Sequence, residues 1–337
     1  TNQHNTISNT FEYCNKLAKI PLFMRIIELC PIPDLEIENT LKQLRKTLLL
    51  EKSILVDNSK LLKFQSSLAL QCFINEFIYD ETVDERIAVQ LLETTLSNSV
   101  LNKQELSLYD IACLASYRPL SNYPWAQELS PPHELKDLFQ VQIEEVRNER
   151  YLAEGIHRLG TINDSVSIAV KNQYEENPYP RWINTALQSK PQEIDDLLRS
   201  LDLRPVKEVS HLSIEPQILI AGCGTGQHAL GTASRFKNSR VLAIDLSLNS
   251  ISYAKRKTME LKISNIDYMH ADILELGLLN RQFDIIESSG VLHHMANPKK
   301  GWKILTNRLK PGGLMKIGLY SELARKNILK IRKLLSK

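Results

Sequence analysis

Three glycines, each separated from the next by one residue, follow an apolar run in the second half of the chain. They are Gly222, Gly224 and Gly226, and a second apolar run downstream ends in Asp245. Glycine lets the backbone turn tightly and approach a ligand where a β-carbon would clash. A helix that starts after such a turn offers free N–H groups and its positive dipole end. Because a carboxylate at Asp245 can accept from two vicinal hydroxyls, the pattern predicts a ligand that contains a ribose.

Two further positions narrow the choice of ligand. Asp272 ends a third apolar segment, where its carboxylate can meet the amino group of an adenine. A nicotinamide site usually has the spacing GxGxxG, which would place a glycine at position 227. That residue is Gln227, so the spacing GxGxG disfavours a nicotinamide oxidoreductase.

Five apolar segments that alternate with helical segments must position these residues. The predicted strands are Gln217–Ala221, Arg240–Ile244, Asp267–His270, Phe283–Ser288 and Leu314–Leu319. Ser247 is the expected cap of the helix after the second strand, and Pro311-Gly312-Gly313 is expected to close the last helix. The alternation indicates a parallel sheet with right-handed crossovers. Such sheets bind ligands beyond the carboxyl ends of their strands, where the strand order reverses.

The first half of the chain shows only helical periodicity, and no convincing strand is predicted before residue 215. Buried helical stripes are predicted at Leu61, Phe64, Leu68 and Cys72, at Ile87, Ala88, Leu91, Leu92 and Leu96, and at Leu135, Phe139, Ile143 and Val146. Ser130 followed by Pro131 predicts the start of the last of these helices. The predicted fold is an all-α domain over residues 1–170, a connector over 171–210 and a doubly wound α/β (Rossmann-like) domain over 211–337.

The connector contains an aromatic and charged segment, Tyr174–Trp182, with two prolines that cannot continue a helix. Aromatic and charged groups on a rigid loop suit a binding cleft, which makes Tyr174, Tyr179 and Trp182 candidate substrate contacts. The alternative is a packed connector whose aromatic side chains fill a domain interface. Both interpretations stay open at this point.

Composition excludes several classes of protein. Hydrophobic residues make up 43% and charged residues 24% of the chain, which is unlike collagen, disordered or disulfide-rich proteins. No apolar run approaches the roughly 18 residues of a membrane span. The five cysteines are widely spaced without a CxxC pair, so neither a disulfide framework nor a metal site is predicted. We therefore expect a reduced, cytoplasmic compartment.

Charge is distributed unevenly along the chain. Residues 1–200 hold 20 basic and 28 acidic residues, whereas residues 201–337 hold 22 and 11. A basic stretch can mark nucleic acid or an acidic partner. Because no aromatic–basic interleaving accompanies it, a nucleic-acid partner is not favoured. The simpler interpretation is a solvated face and a basic C-terminal helix.

The order of motifs in the second half carries a family resemblance. The motifs are Gly222–Gly226, Asp245, Ala271-Asp272-Ile273, Phe283-Asp284-Ile285-Ile286, Gly290-Val291-Leu292-His293-His294-Met295 and Leu309-Lys310-Pro311-Gly312-Gly313. Residues 218–321 thereby resemble a class I S-adenosylmethionine-dependent methyltransferase. The resemblance implies S-adenosylmethionine as the cofactor and a protein or small-molecule methyl acceptor.

The resemblance also implies which residues bind each part of the cofactor. The methionine part would lie on the glycine loop, formed by Gly222, Cys223, Gly224, Thr225 and Gly226. Asp245 with Leu246 would bind the ribose. Asp272 with Ile273 would bind the adenine. Many relatives have an acid two residues before the first glycine, where this chain has Ile220, so another anchor is expected for the amino-acid end.

Methyl transfer from a sulfonium is an in-line displacement, in which the enzyme aligns the reacting atoms and excludes water. A general base is needed only when the nucleophile arrives protonated. His293 and His294, after the fourth strand, are the candidates. Glu287 is a candidate contact for the cofactor's amino group or for the substrate. Cys223 is expected to be a small spacer between glycines and not a nucleophile.

A wider resemblance covers nearly the whole chain. Leu68–Tyr79, Tyr174–Trp182 and Ile317–Arg325 are similar to a bacterial group in which a tetratricopeptide-repeat array precedes a helical segment and a class I methyltransferase domain. It implies repeats upstream of Thr1. The domain is also expected to be truncated before its last two strands, which would leave Leu314–Leu319 as an exposed edge.

Three functions stay open, and no oligomeric state is predicted. The first is methylation of a protein or peptide side chain docked by the helical half. The second is methylation of a small molecule, with the helical half as a lid. The third is a non-catalytic scaffold that only binds the cofactor, for which the loss of the acid at Ile220 and the expected lack of the last two strands are the arguments.

Overall fold

The computed structural model describes residues 2–52, 59–176, 178–200, 214–321 and 323–335. The chain divides into two compact units. The helical unit holds the residues up to Asn148 together with Pro180–Asn184, and the sheet unit holds Glu149–Tyr179 and Thr185–Lys337. Residues 149–170, which the sequence assigned to the helical domain, thus group with the sheet unit.

The helical unit is built from short helices with apolar stripes. Its helices are α1 (Asn2–Leu17), α2 (Pro21–Leu29), α3 (Leu35–Leu50), α4 (Ser59–Ile74), α5 (Val83–Leu101), α6 (Leu108–Ala115), α7 (Pro124–Glu128) and α8 (Lys136–Phe139), with 3-10 turns at Leu120–Asn122 and His133–Leu135. Side-chain caps start several of them, including Asp34 before α3 and the reciprocal Thr82–Glu85 capping box of α5.

The apolar stripe of α4 is confirmed, whereas that of α5 is only half buried. Leu61, Phe64, Leu68 and Cys72 are buried in the helical core. On α5, Leu92 and Leu96 are buried, but Ile87 is 60% and Leu91 66% exposed. The prediction that both apolar rows of α5 are buried was therefore wrong for the Ile87–Leu91 row, because periodicity alone cannot tell which of two adjacent apolar rows meets the core.

The helix predicted to start at Ser130 begins later. A 3-10 turn starts at His133, and α8 runs into a π-helical segment, Gln140–Glu144, before α9 (Glu145–Glu154). The π segment directs the buried amide of Gln142 into the core, where it accepts from the N–H of Leu120 and donates to the carbonyl of Ala115. The later start has a local cause, because Pro131 precedes Pro132 and a residue before proline is disfavoured in the α region.

The sheet unit contains a six-stranded parallel sheet. Its strands are β1 (His157–Leu159), β2 (Gln217–Ala221), β3 (Arg240–Asp245), β4 (Ile266–Ala271), β5 (Phe283–Ser289) and β6 (Leu309–Gly318), in the order β1-β4-β3-β2-β5-β6. Its helices are α10 (Ser165–Glu176), α11 (Ile194–Ser200), α12 (Gln227–Arg235), α13 (Leu248–Glu260), α14 (Pro298–Asn307) and α15 (Lys326–Leu335). The predicted α/β fold is confirmed, and the strand order reverses between β2 and β5.

Two elements of the sheet differ from the prediction. β1 precedes residue 215, where no strand was expected; three residues are too few to show a period, and only pairing with β4 defines the strand. Pro311–Gly313 does not close a helix but lies inside β6, at a register shift opposite Phe283 and Ile285. Proline and glycine are tolerated in a strand at such a bulge.

β6 is the last strand in the sheet order of the described residues, so the predicted edge position is confirmed. Truncation before two further strands stays a prediction. None of the helices in the described part of the chain combines the length and apolar character needed to cross a bilayer.

Helices cover both faces of the sheet. Ile218 and Ile220 of β2 face α11, α12 and α13. Leu219 and Ala221 face α14 and the 3-10 segment Ile273–Leu278. With β2 and β5 in the middle of this packing, the loops at their carboxyl ends rest on a rigid core.

Candidate active site

The glycine loop between β2 and α12 has the conformation that its glycines permit. Gly222, Gly224 and Gly226 have φ of +81°, +51° and +86°, in the left-handed region. A β-carbon at Gly222 would lie 2.3 Å from the side chain of Val291, and one at Gly226 would lie 2.5 Å from Ala254. At Gly224 a β-carbon would meet nothing within 4 Å, so the middle of the loop is open to a ligand.

Asp245, at the end of β3, connects this loop to the next strand. Its Oδ2 accepts from the N–H of Gly224 at 2.7 Å and its Oδ1 from the N–H of Ser247 at 3.0 Å. Burial raises the pKa of Asp245, although these backbone hydrogen bonds oppose the rise. A carboxylate has about four lone-pair sites, so each oxygen keeps room for a ribose hydroxyl.

The other predicted nucleoside contacts lie at the ends of β3 and β4. Asp272 is buried, and its Oδ1 accepts from the N–H of Leu274 at 2.9 Å, which caps the 3-10 segment. Ile273 is buried in the core beside it. The carbonyl of Leu246 is 2.8 Å from Nε2 of His270. The structure therefore brings the ribose candidates and the adenine candidates to the same edge of the sheet.

The carboxyl end of β5 carries a side-chain network that the sequence analysis missed in part. Oε2 of Glu287 lies 2.5 Å from Nε2 of His228 and accepts from the hydroxyl of Thr232 at 2.8 Å. Burial raises the pKa of Glu287, but His228, Thr232 and the charge of Lys316 outweigh it, so the pKa lies below its usual value. His228 was not among the predicted site residues, because nothing in its neighbourhood along the chain points to Glu287.

The part of the chain that forms this edge of the sheet is similar in sequence to a known protein family. Residues 218–313 match a family described as "Methyltransferase domain". The chain carries a methyltransferase domain. The match supports the class I, S-adenosylmethionine-dependent kind that the resemblance implied, with S-adenosylmethionine as the cofactor.

Two similar curated proteins each match about a third of the chain. An uncharacterised protein of Synechococcus is 32% identical over 114 residues, or 34% of this chain and 27% of that protein. The malonyl-[acyl-carrier protein] O-methyltransferase of Priestia megaterium is 35% identical over 99 residues, or 29% of this chain and 35% of that protein. The chain thus spans between 27% and 35% of the length of these curated relatives.

A solved structure that is similar to part of the chain is that of PKMT2 from Rickettsia typhi in complex with AdoHcy. It is 29% identical to this chain, covers 30% of it and 20% of its own chain, and has a TM-score of 0.29.

The residues present in the methyltransferase domain fit its cofactor. The loop is open above Gly224, and Asp245 offers free lone pairs next to it. Cys223, between Gly222 and Gly224, carries a buried thiol. Burial raises the pKa of this thiol well above the usual value, so it stays protonated and unreactive. No group of three or more histidine, cysteine or acidic side chains in the described ranges could hold a metal ion.

His293 and His294 lie in a 3-10 turn, Leu292–His294, just after β5. The His293 ring packs between His294 and Tyr320, with ring centroids at 4.3 and 4.0 Å. Burial and the charge of Arg325 hold the pKa of both histidines below its usual value. Neither ring nitrogen of His293 has a hydrogen-bond partner among the residues that the structure describes.

The aromatic segment of the connector is divided between the units. At its start, the carbonyl of Tyr174 accepts from Ser247, and the carboxylate of Glu175 accepts from the first N–H groups of α13. Burial and the nearby Asp245 and Tyr320 raise the pKa of Tyr174. The hydrogen bond from Ser247 places Tyr174 just beyond the carboxyl end of β3.

The two other aromatic candidates differ from each other in exposure and in the unit to which they belong. Tyr179 also belongs to the sheet unit but is 57% exposed, whereas Trp182 is buried and belongs to the helical unit. Glu175 is a positioning residue that the sequence analysis overlooked; a carboxylate at a helix N-terminus is the signal that could have revealed it.

Proposed function

We propose that the protein is a methyltransferase that transfers the methyl group of S-adenosylmethionine to a nucleophile bound beyond the carboxyl ends of β2 and β5. The observation that carries this proposal is the hydrogen bond between Asp245 and the open glycine loop, at the point where the strand order reverses. When bound, the cofactor supplies a methyl group on a positively charged sulfur. Catalysis then requires alignment of the nucleophile and exclusion of water.

The residues of the proposed site divide into holding and reacting groups. Asp245 holds the ribose and Asp272 the adenine. His293 or His294 takes a proton from the acceptor. The lowered pKa of each ring supports this role, because the neutral imidazole is the basic form.

For the acceptor, we propose a protein or peptide side chain. The support is an exposed apolar row on α5 of the helical unit, formed by Val83, Ile87 and Leu91 at a spacing of four residues. Rows of this kind are typical of surfaces that bind polypeptides. The same proposal includes the bacterial tetratricopeptide-repeat architecture and a cytoplasmic location. The free state of all five cysteines supports the cytoplasmic location.

A small-molecule acceptor is the second candidate. It is favoured by the (S)-coclaurine N-methyltransferase of Papaver somniferum and the phosphoethanolamine N-methyltransferase 2 of Caenorhabditis elegans, whose names specify small molecules. The scaffold hypothesis loses its argument from Ile220, because a buried carboxylate, Glu287, occupies the paired position on β5.

The test is transfer of isotopically labelled methyl from S-adenosylmethionine into a cell extract by the full-length protein. The extract is then separated into macromolecules and small molecules. Label in protein bands supports the proposed acceptor, and label only among small molecules favours the second candidate. If cofactor binds and no label is transferred, the protein is a scaffold. The Asp245→Ala variant is the control for transfer by contaminating enzymes.

A further inference from the structure

We infer that His228, held in place by Glu287, binds the amino-acid end of S-adenosylmethionine. The inference rests on the proposed function and adds a binding residue to it. His228 is a binding residue in this scheme, and Glu287 is a positioning residue that acts through it.

The His228–Glu287 pair lies next to Ile220, the position at which many relatives have an acid. Ile220 of β2, which replaces the acid common in relatives, is the register partner of Glu287 on β5. Both side chains face α12, since Thr232 on that helix donates to Glu287 and Ile220 packs in the core beneath α12. A carboxylate is therefore present beside the expected position, on the neighbouring strand.

The location of His228 also suits a contact with the cofactor. It is the second residue of α12, whose first turn follows the glycine loop directly. The side chain of His228 is 27% exposed, whereas that of Glu287 is only 4% exposed. The imidazole is thus the part of the pair that can reach a ligand at the crevice between β2 and β5.

The hydrogen-bond chemistry determines what the ring can bind. Glu287 accepts from Thr232 and is ionised at neutral pH, because its pKa lies below the usual value. An ionised carboxylate only accepts, so Nε2 of His228 carries the proton of this hydrogen bond and Nδ1 is the nitrogen left for a ligand. Nδ1 accepts from the ammonium group of the cofactor's amino-acid end when the ring is neutral and donates to its carboxylate when the ring is charged. Arg235, 4.0 Å from Oε1, and Lys316 keep Glu287 ionised.

The experiment compares two ligands that differ in this end. S-adenosylhomocysteine has the amino-acid end, and 5′-methylthioadenosine lacks it but keeps the ribose and adenine. Calorimetry with His228→Ala is expected to show affinity for S-adenosylhomocysteine reduced by about tenfold or more, or about 1.4 kcal/mol. Affinity for methylthioadenosine stays unchanged. The control, His157→Ala, removes an exposed histidine of β1 and leaves both affinities as they are.

Glu287→Gln keeps the shape of the side chain but removes the charge that sets the tautomer of His228. It is expected to weaken S-adenosylhomocysteine selectively as well, and it carries the test if His228→Ala does not fold. Equal losses for both ligands, or no loss for either, would overturn the inference. Failure of the unsubstituted protein to bind either ligand would instead overturn the proposed function.

Discussion

The carboxyl ends of β3 and β5 lie on either side of β2, and each presents a carboxylate to the glycine loop region. Asp245 on β3 accepts from the backbone N–H groups of Gly224 and Ser247, and burial raises its pKa. Glu287 on β5 is held by two side chains of α12, and its pKa is lowered despite burial. Burial is the largest single influence on the pKa at both sites. The hydrogen-bond and charge partners therefore decide whether the pKa rises or falls.

The comparison separates two tasks within one edge of the sheet. The β3 end offers fixed backbone donors and lone pairs, which suit neutral hydroxyl groups of a ribose. The β5 end offers imidazoles, at His228 and in the His293–His294 turn, which suit charged or proton-transferring groups. We therefore expect changes at β3 to affect binding of the nucleoside half and changes at β5 to affect the amino-acid half and turnover.

The largest effect that would sharpen this division is expected at His293. His293→Ala should lower the rate of label transfer about 100-fold or more at saturating cofactor, as expected for loss of a general base. Cofactor affinity by calorimetry should not change. Transfer at the unsubstituted rate would mean that the ring only packs against Tyr320.

The same role predicts a pH dependence. Because the pKa of His293 and His294 lies below the usual 6.5, the neutral base persists below that pH. Transfer rate should fall on the acid side only as pH drops through the lowered pKa. An acid limb above pH 6.5 would contradict the role.

Substitution of either of two loop glycines by alanine is predicted to destabilise the protein, through contacts on opposite sides of β2. Gly222→Ala brings a β-carbon against Val291 after β5, and Gly226→Ala brings one against Ala254 of α13 after β3. With φ positive at both, each change should cost about 1–3 kcal/mol, measured as faster hydrogen exchange in β2. Gly231→Ala, inside α12 with open space around it, should instead stabilise by roughly 0.4–1 kcal/mol.

At β3, Asp245→Ala should weaken S-adenosylmethionine binding at least tenfold, or about 1.4 kcal/mol. Methylthioadenosine should lose a similar factor, because it shares the ribose. Unchanged affinity by calorimetry would refute the ribose assignment and remove the contrast with His228.

The smallest expected effects are opposite slopes of stability against pH. Glu287 has a lowered pKa, so its contribution is present above the usual 4.5 and is lost as pH falls through the lowered value. Asp245 has a raised pKa, so its contribution is present below the usual 3.8 and is lost as pH rises through the raised value. Hydrogen exchange of β2 and β5 amides in Glu287→Gln and Asp245→Asn should show slopes changed in opposite senses, and parallel changes would refute the comparison.

Sequence reasoning predicted the sheet better than the details around it. β2, β3 and β5 were predicted within a residue at each end, since their apolar runs are bounded by polar and glycine-rich turns. β1 was missed, because three residues show no period. Pro311–Gly313 was misinterpreted as the end of a helix, because only pairing with β5 reveals a bulge.

In the candidate site, too, the residues placed by local sequence patterns were predicted, and those that meet only through packing were not. The glycine spacing and Asp245 are close in sequence to strand ends, so their meeting at one edge followed from the parallel fold. His228 and Glu287 are 59 residues apart and meet only because α12 packs against β5. Tyr174, Tyr179 and Trp182 looked like one set within nine residues, yet only Tyr174 is placed beside Asp245.

The sequence by itself therefore determined the fold class and the position of the glycine loop, because these depend on local spacing and on the fixed rules of parallel sheets, and its motifs carried the resemblance that implied the cofactor. Only the tertiary structure decided which polar side chains are partners and which apolar rows are covered. Ile87 and Leu92 have the same periodicity, and packing alone exposes one and buries the other. The physical reason is that hydrogen bonds and burial depend on neighbours distant in sequence, which no local pattern encodes.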